Sequence, residues 1–461
     1  MKLTNIFFFF SILLLATGCS KFTDVKPKGK LIPTTVEDYE GFLNDIVLAD
    51  AAYIYSEYMS DDLTLTDAAA ASQAGNRTGK SYFWDKDLIK STEDDAEWNT
   101  PYNRIYYCNL VLDNIDNATD GTEASKNRIR SEAMIHRAYY LFNMANLYGK
   151  DYQEASAATD LAVPILLKAD LEAKSTRATV KEVYDKVIAD LTAAINNPDL
   201  PDFGRNYVHP GKAAAMAILA RVYFLKGDYK NAADYADAAL AKKSTLVDYN
   251  TWEFTNPARP FSGIKNKTAP ELNPENLYCR TNSYTNIFIR FMINPDLHAV
   301  LGEKDLRYVF NFTRLTSTGA TSTNPLPDYL NGAPNFSIGV PEMMLIKAEY
   351  LARQGQINDA MTILNTLRTK RFKPADYIAL TAANADEALV KVLEERRREL
   401  FYHGTRWYDL KRLNHDGRFQ KTLTRSHNGR TETLAPGSPR YLMQIAPKII
   451  GLNPGITPNE R

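Results

Sequence analysis

Ala220-Arg221-Val222-Tyr223-Phe224-Leu225-Lys226-Gly227-Asp228-Tyr229-Lys230-Asn231-Ala232-Ala233-Asp234-Tyr235-Ala236-Asp237-Ala238-Ala239-Leu240 is the stretch that decides the fold. Ala220, Tyr223, Gly227, Ala232, Ala239 and Leu240 fall where a tetratricopeptide helix pair alternates small and bulky residues, and Gly227-Asp228-Tyr229 supplies the turn. Alanine on both helices lets the backbones approach closely, and glycine fits the tight turn between them. The same spacing returns in 341–368 with Ala348, Leu351, Gly355 and Ala360. Looser matches run from Tyr102 through Tyr148 and from Glu387 to Leu413. No such pair covers its own apolar face, so the repeat predicts stacked helix pairs and an all-α fold.

Outside the repeat the helical reading continues. Met134, Ala138, Leu141, Ala145 and Tyr148 recur at helical spacing and stop at Gly149, while 180–195 forms an amphipathic segment closed by Asn196-Asn197-Pro198. Two stretches break the pattern. Residues 251–333 are rich in Asn, Pro, Thr, Tyr and Phe, with Pro257, Pro260, Pro270, Pro274 and Pro295 as breakers, and predict ordered loop with short strands. Residues 60–97 hold Asp61-Asp62, Asn76-Arg77 and Tyr82-Phe83-Trp84-Asp85. Long insertions on a rigid helical support are where binding is usually done.

The amino terminus carries a different message. Met1-Lys2, an apolar run from Ile6 to Ala16 and then Thr17-Gly18-Cys19-Ser20 read as a lipoprotein signal. The run is shorter than the roughly 20 apolar residues of a membrane-spanning helix. Residues 1–18 would be cleaved, Cys19 would carry the lipid, and 19–35, with Lys26-Pro27-Lys28-Gly29-Lys30, would form a tether. A single domain is expected over 36–461: helical repeats in 36–250, the loop-rich insertion 251–333, and a helical part 334–461. The 55 Lys and Arg residues balance 55 Asp and Glu, so no net field favours nucleic acid or an anionic membrane. Cys108 and Cys279 lie far apart without metal-type spacing, which predicts two inert thiols and neither a zinc site nor a disulfide framework.

In 394–413, Leu389, Leu393, Arg396, Leu400 and His403 project along one helical stripe. Arg396 is therefore expected to be buried and paired with a carboxylate on a neighbouring helix. Glu394, Glu395 and Glu399 do not read as a catalytic acid and base, because adjacent helical residues diverge by about 100° and cannot flank one glycosidic bond. His403, before Gly404, reads as a helix-end cap.

Together these features resemble a known family. The lipoprotein signal, Trp98-Asn99-Thr100-Pro101-Tyr102-Asn103-Arg104-Ile105-Tyr106-Tyr107-Cys108-Asn109, Arg137-Ala138-Tyr139-Tyr140, Pro341-Glu342-Met343 with Ala348-Glu349, Leu364-Asn365 with Leu367-Arg368, and Glu395-Arg396-Arg397-Arg398-Glu399-Leu400 with Gly404 and Arg406-Trp407-Tyr408-Asp409-Leu410 are similar to the SusD/RagB nutrient-uptake lipoproteins of Bacteroidetes. The closing Ile445-Ala446-Pro447-Lys448 and Asn453-Pro454-Gly455 extend the resemblance to the end of the chain. It implies four tetratricopeptide-type helix pairs in a right-handed superhelical scaffold, one ligand-binding loop face, and a place on a SusC-like TonB-dependent outer-membrane transporter. It implies a glycan or, in part of the family, a peptide as ligand, no catalysis, no cofactor, and lipid anchoring to the outer membrane facing the exterior.

The family's binding loops are variable, so chemistry must nominate the site. Sugar C–H faces stack on tryptophan and tyrosine, and hydroxyls call for Asn, Asp or Arg at the rim. The candidates are Tyr82 and Trp84 near Asn76, Arg77 and Asp85, and Trp252 and Tyr284 near Asn250, Arg280 and Asn282. Trp98 and Trp407 are expected in the core. A protein-binding scaffold would leave the long aromatic loops without a purpose. A hydrolase would need a Gly-x-Ser-x-Gly elbow, a His-Glu-x-x-His helix or a suitably spaced carboxylate pair, none of which the sequence carries.

Overall fold

Alanine at the contact positions and glycine at the turns produce the stacking that the repeat predicts. The computed structural model describes residues 33–282, 291–315, 319, 321–327 and 335–461. Its principal helices are α1 Ala96–Asn114, α2 Glu123–Tyr148, α3 Val180–Asn196, α4 Lys212–Lys226, α5 Tyr229–Lys242, α6 Val340–Arg353, α7 Ile357–Arg368, α8 Ala385–Glu399 and α9 Arg406–Leu413. Each of α1 to α6 packs on the next, and both α7 and α8 pack on α6. This is an all-α scaffold of tetratricopeptide type.

Local chemistry fixes the helix ends. Thr122 and Thr179 start α2 and α3 with reciprocal capping boxes to Ser125 and Glu182, and Asp228 accepts from the Asn231 amide to start α5. Gly227 sits at φ +82° and Gly355 at φ +73°, the left-handed conformation that L side chains resist. Ala220, Ala232, Ala236, Ala239, Ala348, Ala352 and Ala360 are all fully buried, so the helix backbones meet across methyl groups. Tyr223 and Tyr235 stack with ring centres 5.5 Å apart on the flank of the α4–α5 pair.

One buried apolar cluster extends from Tyr39 to Ile456, a second lies among α6, α7 and α8, and a small third joins Trp252, Leu306 and Phe310. Trp98 packs edge-on to Tyr148 at 4.9 Å, and Trp407 stacks on Tyr441 at 4.7 Å while donating its indole N–H to the Tyr441 carbonyl. Both tryptophans are core residues, as expected. Cys108 and Cys279 are free and buried, and burial pushes their thiols up to about 12 and about 11.

Arg396 is buried, and its Nε lies 2.8 Å from Asp409 of α9, with Glu342 of α6 at 3.9 Å. The segment 387–413 is not a helix hairpin of the repeat type, however. α8 packs on α6, and α9 turns away to the short helix Tyr55–Met59, so the Arg396–Asp409 pair is the joint between them. Gly404 makes that turn possible at φ +75°, where a Cβ would stand 2.4 Å from the Tyr53 hydroxyl.

The described part of 251–333 is ordered loop with two-stranded ribbons, Glu253–Phe254 with Ile264–Lys265 and Phe312–Leu315 with Thr321–Pro327, but it departs from the expectation in also folding into two short helices, Pro295–Leu301 and Leu306–Asn311. The stretch 60–97 differs from its expectation as an open loop. It folds into the short helices Asp67–Gln73 and Arg77–Tyr82 and is covered by the hairpin of β1 Leu423–His427 and β2 Arg430–Leu434. Buried Arg425 of β1 donates to the carbonyls of Tyr58, Met59, Ser60 and Tyr82, which end the helices Tyr55–Met59 and Arg77–Tyr82.

Candidate functional site

Beneath the insertion lies a cavity of about 140 Å³, on a measure by which one water needs about 10–15 Å³. One wall begins with Asp248, which accepts from the Asn250 amide and sets a single turn Tyr249–Thr251. The turn brings the Tyr249 and Trp252 rings face to face, 3.8 Å between centres and 20° apart. Arg371 supports the Tyr249 ring at 4.2 Å, and Phe310 meets Trp252 edge-on at 5.6 Å. Trp252 is 6% exposed, and its indole Nε1 has no hydrogen-bond acceptor among the described residues. A buried N–H left so is costly unless something fills the cavity.

Phe401, Tyr402 and His403, just past α8, form the opposite wall. Tyr402 is held at φ +58°, a strained conformation for a bulky residue. His403 faces the cavity, and burial above all lowers its pKa to about 4, so the imidazole is neutral at physiological pH. The expected cap is not formed: α8 ends at Glu399 with Leu400 as its C-cap. Asn273, Asn276, Asn311 and Asn335 bring carboxamides to the lining, with Lys267 at 5.4 Å from the Trp252 ring.

The floor is charged but internally paired. Arg371 bonds Glu275 at 2.8 Å and Glu399 at 2.7 Å; Arg307 bonds Glu399 at 2.7 Å; Arg221 grips Glu342 at 2.6 Å. Burial would raise Glu399, but the Arg371 and Arg307 guanidinium groups outweigh it and hold the acid at about 2. The surface so built offers an aromatic face with amide donors and acceptors.

Of the described residues nominated from sequence, Trp252 alone lines this cavity. Asn250 bonds Asp248 and the Thr369 carbonyl close by. Arg280 is fully buried, stacked on Tyr278 at 3.5 Å and bonded to His136 and the Cys279 carbonyl, so no ligand reaches it. Asn282 donates to the Tyr53 carbonyl. Tyr284 lies outside the described residues.

The cluster in 60–97 is likewise spent on packing. Asn76 caps the helix Arg77–Tyr82 through the Gly79 amide, Arg77 pairs with Asp95 at 2.7 Å, and Asp85 pairs with Arg430. Trp84 is completely buried at φ +54°, donates to the Met59 carbonyl and is overlaid by Arg425 at 4.3 Å. Tyr82 is 1% exposed, with its hydroxyl 2.9 Å from His427 Nε2. Tyr82 and Trp84 border a separate groove with Asp61, Asp296 and Lys421, but the platform expected of them is closed by the β1–β2 hairpin.

Sequence reasoning missed Tyr249, Phe401, Tyr402 and His403. A signal existed only for Tyr249: in Asp248-Tyr249-Asn250-Thr251-Trp252 an aspartate-started turn puts the first and last rings on one side.

Comparison with known proteins places this geometry in a lineage. A family model described as starch-binding associating with outer membrane matches residues 21–224, and the SusD family model matches residues 330–460. A SusD-like protein of Formosa agariphila is 23% identical over 88% of this chain and 90% of its own. A SusD superfamily protein of Bacteroides thetaiotaomicron shares the fold with TM-score 0.74 at 21% identity, covering 93% of this chain and 100% of its own. Surface glycan-binding protein A of Bacteroides uniformis does so with TM-score 0.72 at 18% identity, covering 92% of this chain and 100% of its own. The family models meet the helical array on both sides of the insertion, and the chain belongs to the SusD/RagB family.

Proposed function

We propose that this protein is a surface lipoprotein that binds glycan without transforming it and hands it to a SusC-like TonB-dependent outer-membrane transporter. The observation that carries the binding step is the Tyr249–Trp252 pair, stacked at 3.8 Å on the wall of a cavity edged by carboxamides. Such a pair gives the apolar face of a sugar a rigid surface at little ordering cost. Glycan binding in the named B. uniformis neighbour, and the description of the family model over 21–224, support the same class of ligand. The signal sequence supports anchoring at Cys19, and family membership supports exposure on the cell exterior and delivery to the transporter.

Affinity electrophoresis tests the reading. The protein is run through gels cast with polysaccharides, beside a Tyr249→Ala/Trp252→Ala variant. Retardation of the parent and its loss in the variant is the expected result. Unchanged retardation of the variant would move the site, and sugar products on prolonged incubation would overturn the non-catalytic reading. Binding of peptide mixtures but of no glycan would favour the peptide-uptake alternative.

A further inference from the structure

The cavity's charges are arranged in a way that bears on which glycan it takes. Three carboxylates reach its lining, Glu275, Glu342 and Glu399, and each is already held by a buried arginine at 2.6–2.8 Å. Arg307 is saturated in turn by Asp305, Glu395 and Glu399, and Arg371 by Glu275 and Glu399. Among the described residues of the lining and floor, no guanidinium fork is therefore open to a ligand carboxylate or sulfate, the bidentate arrangement that such anions favour. Lys267 of the lining is half-exposed, 5.4 Å from the Trp252 ring, and solvent screens its charge.

What the lining leaves open is dipolar. The Trp252 indole N–H lacks an acceptor among the described residues. Asn273 spends its oxygen on the Glu275 amide, leaving its Nδ2 as a donor, and Asn311 spends its nitrogen on the Arg307 carbonyl, leaving its Oδ1 as an acceptor. Two donors and one acceptor beside an aromatic face match hydroxyl groups, which both donate and accept. The acceptor oxygen of Asn311 and the carboxylates of the floor repel an anion.

Resting on the saccharide reading above, we infer that this cavity selects uncharged sugar units and rejects those that carry a carboxylate or sulfate. An anionic unit would shed its hydration against walls whose described guanidinium groups are all committed, with only the half-exposed Lys267 besides them to face it, and weakening by at least about tenfold is expected relative to its neutral counterpart.

The test is affinity electrophoresis with matched gels: dextran against dextran sulfate, fully methyl-esterified pectin against polygalacturonate, and laminarin, xylan and arabinogalactan as further neutral probes. Each is run at low and high salt with the parent, Trp252→Ala and Trp252→Phe. The expected result is retardation in neutral gels alone, insensitive to salt, abolished by Trp252→Ala and weakened about 2- to 10-fold by Trp252→Phe, which keeps the ring but removes one hydrogen bond. Retardation in an anionic gel that Trp252→Ala abolishes would overturn the charge selection and leave the site standing. Retardation in any gel that both Trp252 variants preserve would overturn the site itself, and retardation in none would overturn the saccharide reading.

Discussion

Replacing Arg396 by alanine tests how the C-terminal helices are joined. The side chain is 2% exposed, lies 2.8 Å from Asp409 and 3.9 Å from Glu342, and caps the Phe224 ring at 4.7 Å. Breaking a buried ion pair commonly costs about 3–5 kcal/mol, because the abandoned partner stays buried and charged. Here neither partner is abandoned outright. Asp409 keeps Arg412 at 2.8 Å, and Glu342 keeps Arg221 at 2.6 Å. The low end, about 3 kcal/mol, is therefore expected. With about 2.1 cal/mol/K of unfolding entropy per residue over about 440 residues, 3 kcal/mol corresponds to a fall of about 3 °C in the melting temperature. Calorimetry on the parent, Arg396→Ala, Asp409→Asn and the double variant gives both the loss and the coupling. Asp409→Asn should cost at least as much, since it leaves Arg396 with only the Glu342 contact at 3.9 Å. Coupling of about 1–3 kcal/mol is expected between the two sites. Melts of Arg396→Ala that match the parent, or a strictly additive cycle, would refute the joint.

Trp84→Ala should destabilise the fold by about 3–5 kcal/mol, measured by chemical denaturation, because the ring is fully buried; a stability like the parent's would restore it as a ligand platform. Glu57 is buried with no paired cation among the described residues, and burial first, then Asp62, pushes it up to about 8. Its folded pKa exceeds the unfolded value, so its contribution is complete below about pH 4.5 and is lost as pH rises toward about 8, amounting to roughly 3 kcal/mol at pH 7. Glu57→Gln should accordingly melt above the parent near neutral and alkaline pH and level with it near about pH 4; parallel curves across that window would contradict the assignment. Cys19→Ala should leave the membrane fraction or stall in processing, and a variant that still sediments with outer membranes after salt washing would rule out the lipid as tether.

Helix content, helix ends and the repeat were legible in the sequence because their causes are local. Thr179 with Glu182, Asp228 at its turn and Gly227 at φ +82° act within a few residues of themselves, and alanine spacing reports a helix face directly. The burial of Arg396 was legible for the same reason, since its neighbours on the stripe are apolar. Side-chain exposure in the insertions is not local. Tyr82-Phe83-Trp84-Asp85 reads as an open aromatic loop, yet Arg425 and Arg430, more than 300 positions away, close over it and turn it into core. The cavity likewise gathers Tyr249 and Trp252, Asn335, and Tyr402 and His403 from three separate segments. Sequence alone decides which residues turn, cap and coil, because those energies are settled within one or two turns of chain. Which aromatic rings face a ligand and which face the core is decided by contacts between distant segments, and only the tertiary structure supplies them.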